Sequence, residues 1–397
     1  MRSGWRLVYA LAAAQLVSWG TIYYSFSLFV VPMERELGWS PTAINGALSA
    51  GLLVAGLAAY PVGRWIDRRG GRAVMTWGSA LGAVLLAAWS QVTGVVVFYA
   101  VWLGLGLALA ATLYDPVFAV ITRTFPESYG RRITVLTLVG GFASTVFIPL
   151  TQLLIGTLGW RHALIALALA NAVICLPVHA WGLRAPAGDG AARAARSPAP
   201  RDEAFRRALR HPVFWALALA FTAYSATLSA LTFHIIPLLT QRGVPTATIV
   251  AAVATFGPAQ VAGRIALLAL GRRTSAALAG RCAFLVFPGA VVILVLFPSA
   301  AAAPFAFAIL WGAANGILTI IRGTAVPELL WRESYGAING ALTLPANIAR
   351  GLAPYGAALI WSATGRYDAV LWTVLAVSAV AAAAFWYASW GAMTERR

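Results

Sequence analysis

The chain is a succession of apolar runs, each long enough to cross a bilayer and each closed by a short polar or basic gap. The runs fall at 7–32, 42–63, 73–91, 94–122, 133–157 and 161–183, and resume at 212–240, 247–270, 276–298, 302–322, 336–361 and 368–391. About 20 apolar residues carry an α-helix across the hydrocarbon. Backbone amides in lipid must be satisfied within the protein, and runs of this length do that as helices. The expected fold is an all-α membrane protein with twelve transmembrane helices in two pseudo-symmetric six-helix bundles. The expected domains are residues 1–183, a cytoplasmic basic linker at 184–211, and residues 212–397. Within the linker, residues 201–210 have the character of an amphipathic surface helix. The N-terminus has the basic start and Ala-rich stretch of a signal peptide. Its apolar run continues to Pro32, too long for a cleaved segment, and is expected to be the first span.

Charge placement sets the orientation. Charged residues make up 10% of the 397 residues, too few to cover a soluble surface of this size. The basic count of 29 is all arginine, against 12 acids. A net charge of +17 would suit nucleic-acid binding, but these arginines sit in short gaps between apolar runs, so no nucleic-acid partner is expected. Arg64–Arg72, Arg123–Arg132, the linker, Arg272–Arg281, Arg322–Arg332 and Arg396–Arg397 gather on one side. The opposite loops keep Arg35, Arg161, Arg242 and Arg366. The positive-inside rule then puts both termini in the cytoplasm. Cys175 and Cys282 lie far apart inside apolar runs and read as small core or lipid-facing residues. No metal-ligand cluster, cofactor motif or nucleophile–base set appears, so an enzyme or membrane sensor is not expected.

The two halves resemble each other. Ser128-Tyr129-Gly130 opens the fifth run and Ser334-Tyr335-Gly336 the eleventh; Leu136-Thr137-Leu138 and Leu342-Thr343-Leu344 follow at the same offset of 206. Two matches in register indicate an internal repeat, the plan of a transporter whose halves enclose a central site.

Between the second and third runs stands Gly63-Arg64-Trp65-Ile66-Asp67-Arg68-Arg69-Gly70-Gly71-Arg72. It resembles the cytoplasmic loop signature of the major facilitator superfamily, G-x-x-x-D-R-x-G-R-(R/K), with one extra residue near its end. Gly63 would allow close helix approach, and Asp67 could sit on the N-terminus of a helix in the other half. Arg68 and Arg72 could pair with an acid near the fourth span. The resemblance makes this loop a latch, not a substrate site. The second-half counterpart, Leu268 to Arg273, has lost the glycine and the aspartate. Ala100 stands where many proton-driven drug exporters carry an arginine ahead of Gly104 and Gly106. Within the superfamily, the segments Trp19–Ser40 and Gly140–Arg161 are similar to those of monocarboxylate porters and oxalate/formate antiporters.

Ionisable residues inside runs mark the candidate site, because arginine at the bilayer centre costs about +2.5 to +3.5 kcal/mol even on lenient scales. Arg264, with Gln260 one turn away, and Arg350, about 20 Å along its helix from Gly336, have no acid within the second-half runs; Glu328, Glu333 and Asp368 are expected in loops. Two such cations invite an anion held by bidentate hydrogen bonds. The resemblance supports this: monocarboxylate porters carry an arginine at the position of Arg264, and oxalate exchangers have a lysine near Arg350. Leu28 stands where animal monocarboxylate porters place a proton-coupling lysine. The competing reading pairs these arginines with Asp115 or with helix-end carbonyls.

Asp115, in Leu113-Tyr114-Asp115-Pro116, is a candidate for gating or proton coupling and, structurally, a partner for Arg68 or Arg72. His234 is a second candidate for proton coupling. Tyr24, Tyr114, Trp311 and Asn315 are expected to wall the substrate. The expected function is secondary transport of a small organic anion, a mono- or dicarboxylate, by alternating access in a cell (inner) membrane. A proton or counter-anion would be its coupling partner, and the protein is expected to be a monomer. The alternative keeps the fold and exports drug-like or phosphate- and arsenate-like compounds.

Overall fold

The computed structural model describes residues 2–183, 199–270 and 274–394. The part of the linker at 184–198, the loop arginines Arg272 and Arg273, and the terminal Arg396 and Arg397 lie outside the described residues. Among the described residues, eleven helices are long and apolar enough to cross a membrane: Gly4–Leu37, Thr42–Arg69, Arg72–Trp89, Val95–Thr124, Tyr129–Leu158, Trp160–Gly182, Pro212–Gln241, Thr246–Leu270, Ala276–Leu296, Ala303–Leu329 and Tyr367–Gly391. The helix Tyr335–Thr364, diluted by Asn339, Asn347 and Arg350, completes the twelve as the eleventh span. A further helix, Ala199–Arg210, precedes the seventh span.

The chain forms two compact units. The first comprises residues 1–204 with 333–341, and the second 205–332 with 342–397. The start of the eleventh span thus groups with the first unit.

Local chemistry explains where helices start and stop. Ser40 accepts from the Ala43 amide ahead of Pro41 at the first turn, and Ser275 accepts from the Leu278 amide. His211 caps the seventh span by accepting from Val213, next to Pro212. Gly70 ends the second span at φ 81°, a left-handed conformation that strains any residue with a Cβ.

Proline breaks inside the spans are repaired by side chains from neighbours, as lipid requires. Pro116 cannot donate to the Thr112 carbonyl four residues earlier, and the fourth span bends at Leu113. Gln15 of the first span reaches that carbonyl with its amide at 2.6 Å. The first span has its own irregularity, a π-turn over Trp19–Tyr24. There Ser25 donates to the Gly20 carbonyl at 2.7 Å and meets Thr151 at 2.7 Å.

Glycine-to-backbone contacts tie spans within each unit. In the first, a Cβ on Gly106 would lie 2.2 Å from the Gly51 carbonyl oxygen. In the second, one on Gly312 would lie 2.7 Å from the Phe256 oxygen, and these residues stand 206 and 205 positions after Gly106 and Gly51. The second and fourth spans therefore touch as the eighth and tenth do, and the repeat legible in the sequence extends to packing.

Several helices run past the expected ends: the first continues to Leu37 and the second to Arg69, and two further shifts bear on charged residues. The tenth span runs to Leu329, so Arg322 and Glu328 lie within a helix and not in a loop. Glu328 accepts from the Ala276 amide at 3.0 Å, capping the ninth span. Asp368 also belongs to a helix, in the first turn of the twelfth span, where Arg242 and Arg366 hold it at 2.9 and 2.8 Å. Charge near the end of an apolar run looks like loop, but a helix extends past it when the charged groups find partners.

Candidate functional site

The second unit contains the cationic cluster. Arg264 is only 5% exposed. Its Nη2 donates to Gln260 Oε1 at 3.4 Å, across one helical turn, and its Nε is enclosed without a partner. Glycines let the helices behind it close up. A Cβ on Gly316 would fall 2.1 Å from the Gln260 carbonyl oxygen, and one on Gly263 would fall 2.2 Å from the Ala313 oxygen. The eighth and tenth spans meet backbone to backbone, which fixes the height of Gln260 and Arg264.

Arg350 is half-buried in the eleventh span. Pro354, four residues on, has no amide to give its carbonyl; Ser229 of the seventh span donates there instead, at 2.7 Å. His234, one turn beyond Ser229, uses Nε2 on the Pro354 carbonyl at 2.9 Å and Nδ1 on the Tyr367 hydroxyl at 3.2 Å. A carbonyl only accepts, so Nε2 carries the proton and Nδ1 accepts from the tyrosine. Both ring nitrogens contact groups that hold the eleventh and twelfth spans.

Between these helices Tyr224 donates to Asn315 Oδ1, with Asn315 9% exposed. Three guanidinium groups, those of Arg350, Arg322 and Arg264, act electrostatically on this tyrosine. Arg322, assigned to a loop on sequence grounds, also donates to Thr343 Oγ1 at 2.9 Å and is the residue that sequence reasoning missed. Tyr224 was likewise unmarked, one aromatic among many. Neither Arg264 nor Arg350 has a carboxylate within ion-pair distance among the described residues. Trp311 is 2% exposed, its ring edge-on to Phe287 at 4.6 Å and tilted over Phe307 at 5.3 Å. It packs in the core of the second unit.

The first unit holds the other expected residues. Tyr24 and Tyr114 both pack on Trp19, at 5.9 and 5.1 Å between ring centres, and Tyr114 stacks on Phe118 at 5.3 Å. Trp19, which opens the π-turn, meets both rings. Asp115 accepts from Asn339 at 3.0 Å. Arg72, one of the two arginines expected as its partner, instead donates to the Ala180 carbonyl at 2.8 Å. Asp67 accepts from the amides of Gly336 and Ala337, at 3.0 and 2.8 Å, at the start of the eleventh span. Gly63 meets the same turn: a Cβ there would lie 1.9 Å from the Gly336 carbonyl oxygen. Arg123 of the fourth span secures the latch from behind by donating to the carbonyls of Ile66 (3.0 Å) and Asp67. Arg68 lies in the last turn of the second span.

No group of three or more His, Cys, Asp or Glu side chains that could hold a metal occurs among the described residues.

The family model for the Major Facilitator Superfamily matches residues 11–354. The chain belongs to the Major Facilitator Superfamily. It is a multi-pass membrane transporter of small substrates and not an enzyme. Among solved structures it is similar to the E. coli fucose:proton symporter, with TM-score 0.74, 15% identity and coverage of 96% of this chain and 98% of that one. It is also similar to a human organic anion transporter, with TM-score 0.72, 17% identity and coverage of 97% and 99%. A proton:xylose symporter follows at TM-score 0.71 and 10% identity, covering 96% of each chain. At these identities the likeness is one of fold. No curated protein matches the sequence.

Proposed function

We propose that this superfamily transporter carries a small organic anion, a mono- or dicarboxylate, bound by Arg264 and Arg350 of the second unit. The observation that carries the reading is that these two membrane-embedded guanidiniums lack any carboxylate partner among the described residues. An arginine held at this depth costs several kcal/mol unless its charge is answered. A planar carboxylate answers it with two parallel N–H···O bonds. Gln260 and Asn315, on helices locked at Gly316, would orient that anion beside the Tyr224 hydroxyl. The resemblance of Arg264 and Arg350 to the cations of monocarboxylate porters and oxalate/formate antiporters supports the same substrate class. So does the existence of an organic anion transporter with this fold. Transport is by alternating access, in a cell membrane with both termini cytoplasmic, as the arginine asymmetry favours.

Counterflow in proteoliposomes with labelled mono- and dicarboxylates tests this, with phosphate and arsenate as the competing panel. Each lost charge-assisted bond is worth about 1.5–3 kcal/mol, so Arg264→Ala and Arg350→Ala should each lower carboxylate exchange about tenfold or more. Exchange at wild-type rates in both variants would overturn the site. Exchange of phosphate but of no carboxylate would overturn the substrate class.

A further inference from the structure

We infer that the surface of the second unit between the ninth and twelfth spans is a binding site for the phosphate of an anionic phospholipid, with Arg281 as its centre. Arg281 lies five residues after Ala276 in the ninth span, about 7–8 Å along the helix axis. Its Nε donates to Ser389 Oγ of the twelfth span at 2.7 Å. Its Nη2 is enclosed with no partner, and no carboxylate reaches the guanidinium among the described residues. The two acids on the helices packed around it are engaged elsewhere: Glu328 caps the ninth span, and Asp368 is held by Arg242 and Arg366.

The cation is built into a rigid support. A Cβ on Gly280 would lie 2.3 Å from the Phe385 ring, and Phe385 stacks on Phe284 at 4.6 Å, so the two helices meet closely beside Arg281. Two tryptophans one turn apart flank the guanidinium, Trp386 at 5.4 Å and Trp390 at 5.9 Å. They are 38% and 60% exposed. Leu278 and Leu285, on the same face of the ninth span as Arg281, are each 50% exposed.

A guanidinium fixed at headgroup depth beside indoles, with exposed Leu278 and Leu285 one turn to either side along the helix, matches one ligand shape: a phosphodiester over acyl chains. The phosphate oxygens take the N–H groups of Nη1, the terminal nitrogen that is neither enclosed nor bonded within the protein. The indoles occupy the interfacial zone they favour, and the leucines line the chains. Anionic lipid is selected because a zwitterionic headgroup brings its own cation to the phosphate.

Native mass spectrometry of the detergent-purified protein, given phosphatidylglycerol or phosphatidylcholine, tests the inference. Phosphatidylglycerol should be retained in preference to phosphatidylcholine. Arg281→Gln should lower that retention about tenfold, the loss of a charge-assisted bond, and Arg281→Lys should lower it less. Millimolar inorganic phosphate should leave retention unchanged. Trp390→Ala, at an exposed position that folding tolerates, should weaken retention severalfold and decides the matter if Arg281→Gln does not fold. Retention that is unchanged in these variants, indifferent to headgroup charge, or displaced by free phosphate would overturn the site. The readout involves no transport, so its failure leaves the carboxylate reading untouched.

Discussion

The placement of Arg350 rests on a hydrogen bond that the backbone of its own helix cannot make. Pro354 leaves the Arg350 carbonyl unpaired, and the Ser229 hydroxyl supplies the missing donor at 2.7 Å. Ser229 is 6% exposed, so no water replaces it in Ser229→Ala. A buried carbonyl stripped of its partner costs about 1–3 kcal/mol. In the Pro354→Ala background the backbone at position 354 regains an amide for that carbonyl, and Ser229→Ala should then cost a few tenths of a kcal/mol. The His234 contact uses the carbonyl of residue 354 and survives in both backgrounds. Thermal unfolding of the four proteins in one detergent forms a double-mutant cycle, with about 2–4 °C expected per kcal/mol. Coupling of about 1 kcal/mol or more is expected. Equal destabilisation by Ser229→Ala with and without Pro354 would refute the account and detach Ser229 from the positioning of Arg350.

Three further outcomes follow from the first unit. Asp67→Asn keeps an acceptor for the Gly336 and Ala337 amides but removes the charge opposite the helix end, and should cost about 0.3–1 kcal/mol in an unfolding titration, diminishing with salt. Gly63→Ala forces a Cβ to within 1.9 Å of backbone oxygen and should cost about 1–3 kcal/mol. Gly156→Ala, in a helix with nothing within 4 Å, should instead be neutral or stabilising by up to about 1 kcal/mol in the same assay. Equal effects of the two glycine changes would contradict the close approach at Gly63.

Hydropathy, charge placement and the Gly63–Arg72 motif were enough to establish the twelve helices and the family. Each is a local property of the chain: lipid demands a minimum apolar length whatever surrounds it. The pairing of Gln260 with Arg264 was also legible, since four residues on a helix bring two side chains together. Tertiary structure decided the rest. Arg322 was read as loop because charge near the end of an apolar run carries no mark of the Thr343 hydroxyl waiting on another helix. Glu328 and Asp368 were displaced into loops by the same logic. The contacts of His234 with Pro354 and Tyr367, the repair of Pro116 by Gln15, and the bond from Ser229 to the Arg350 carbonyl join residues about 100 positions apart or more. Such meetings depend on which helix faces which, and that is set by glycine contacts and proline breaks acting across the bundle, beyond the reach of any pattern along one segment.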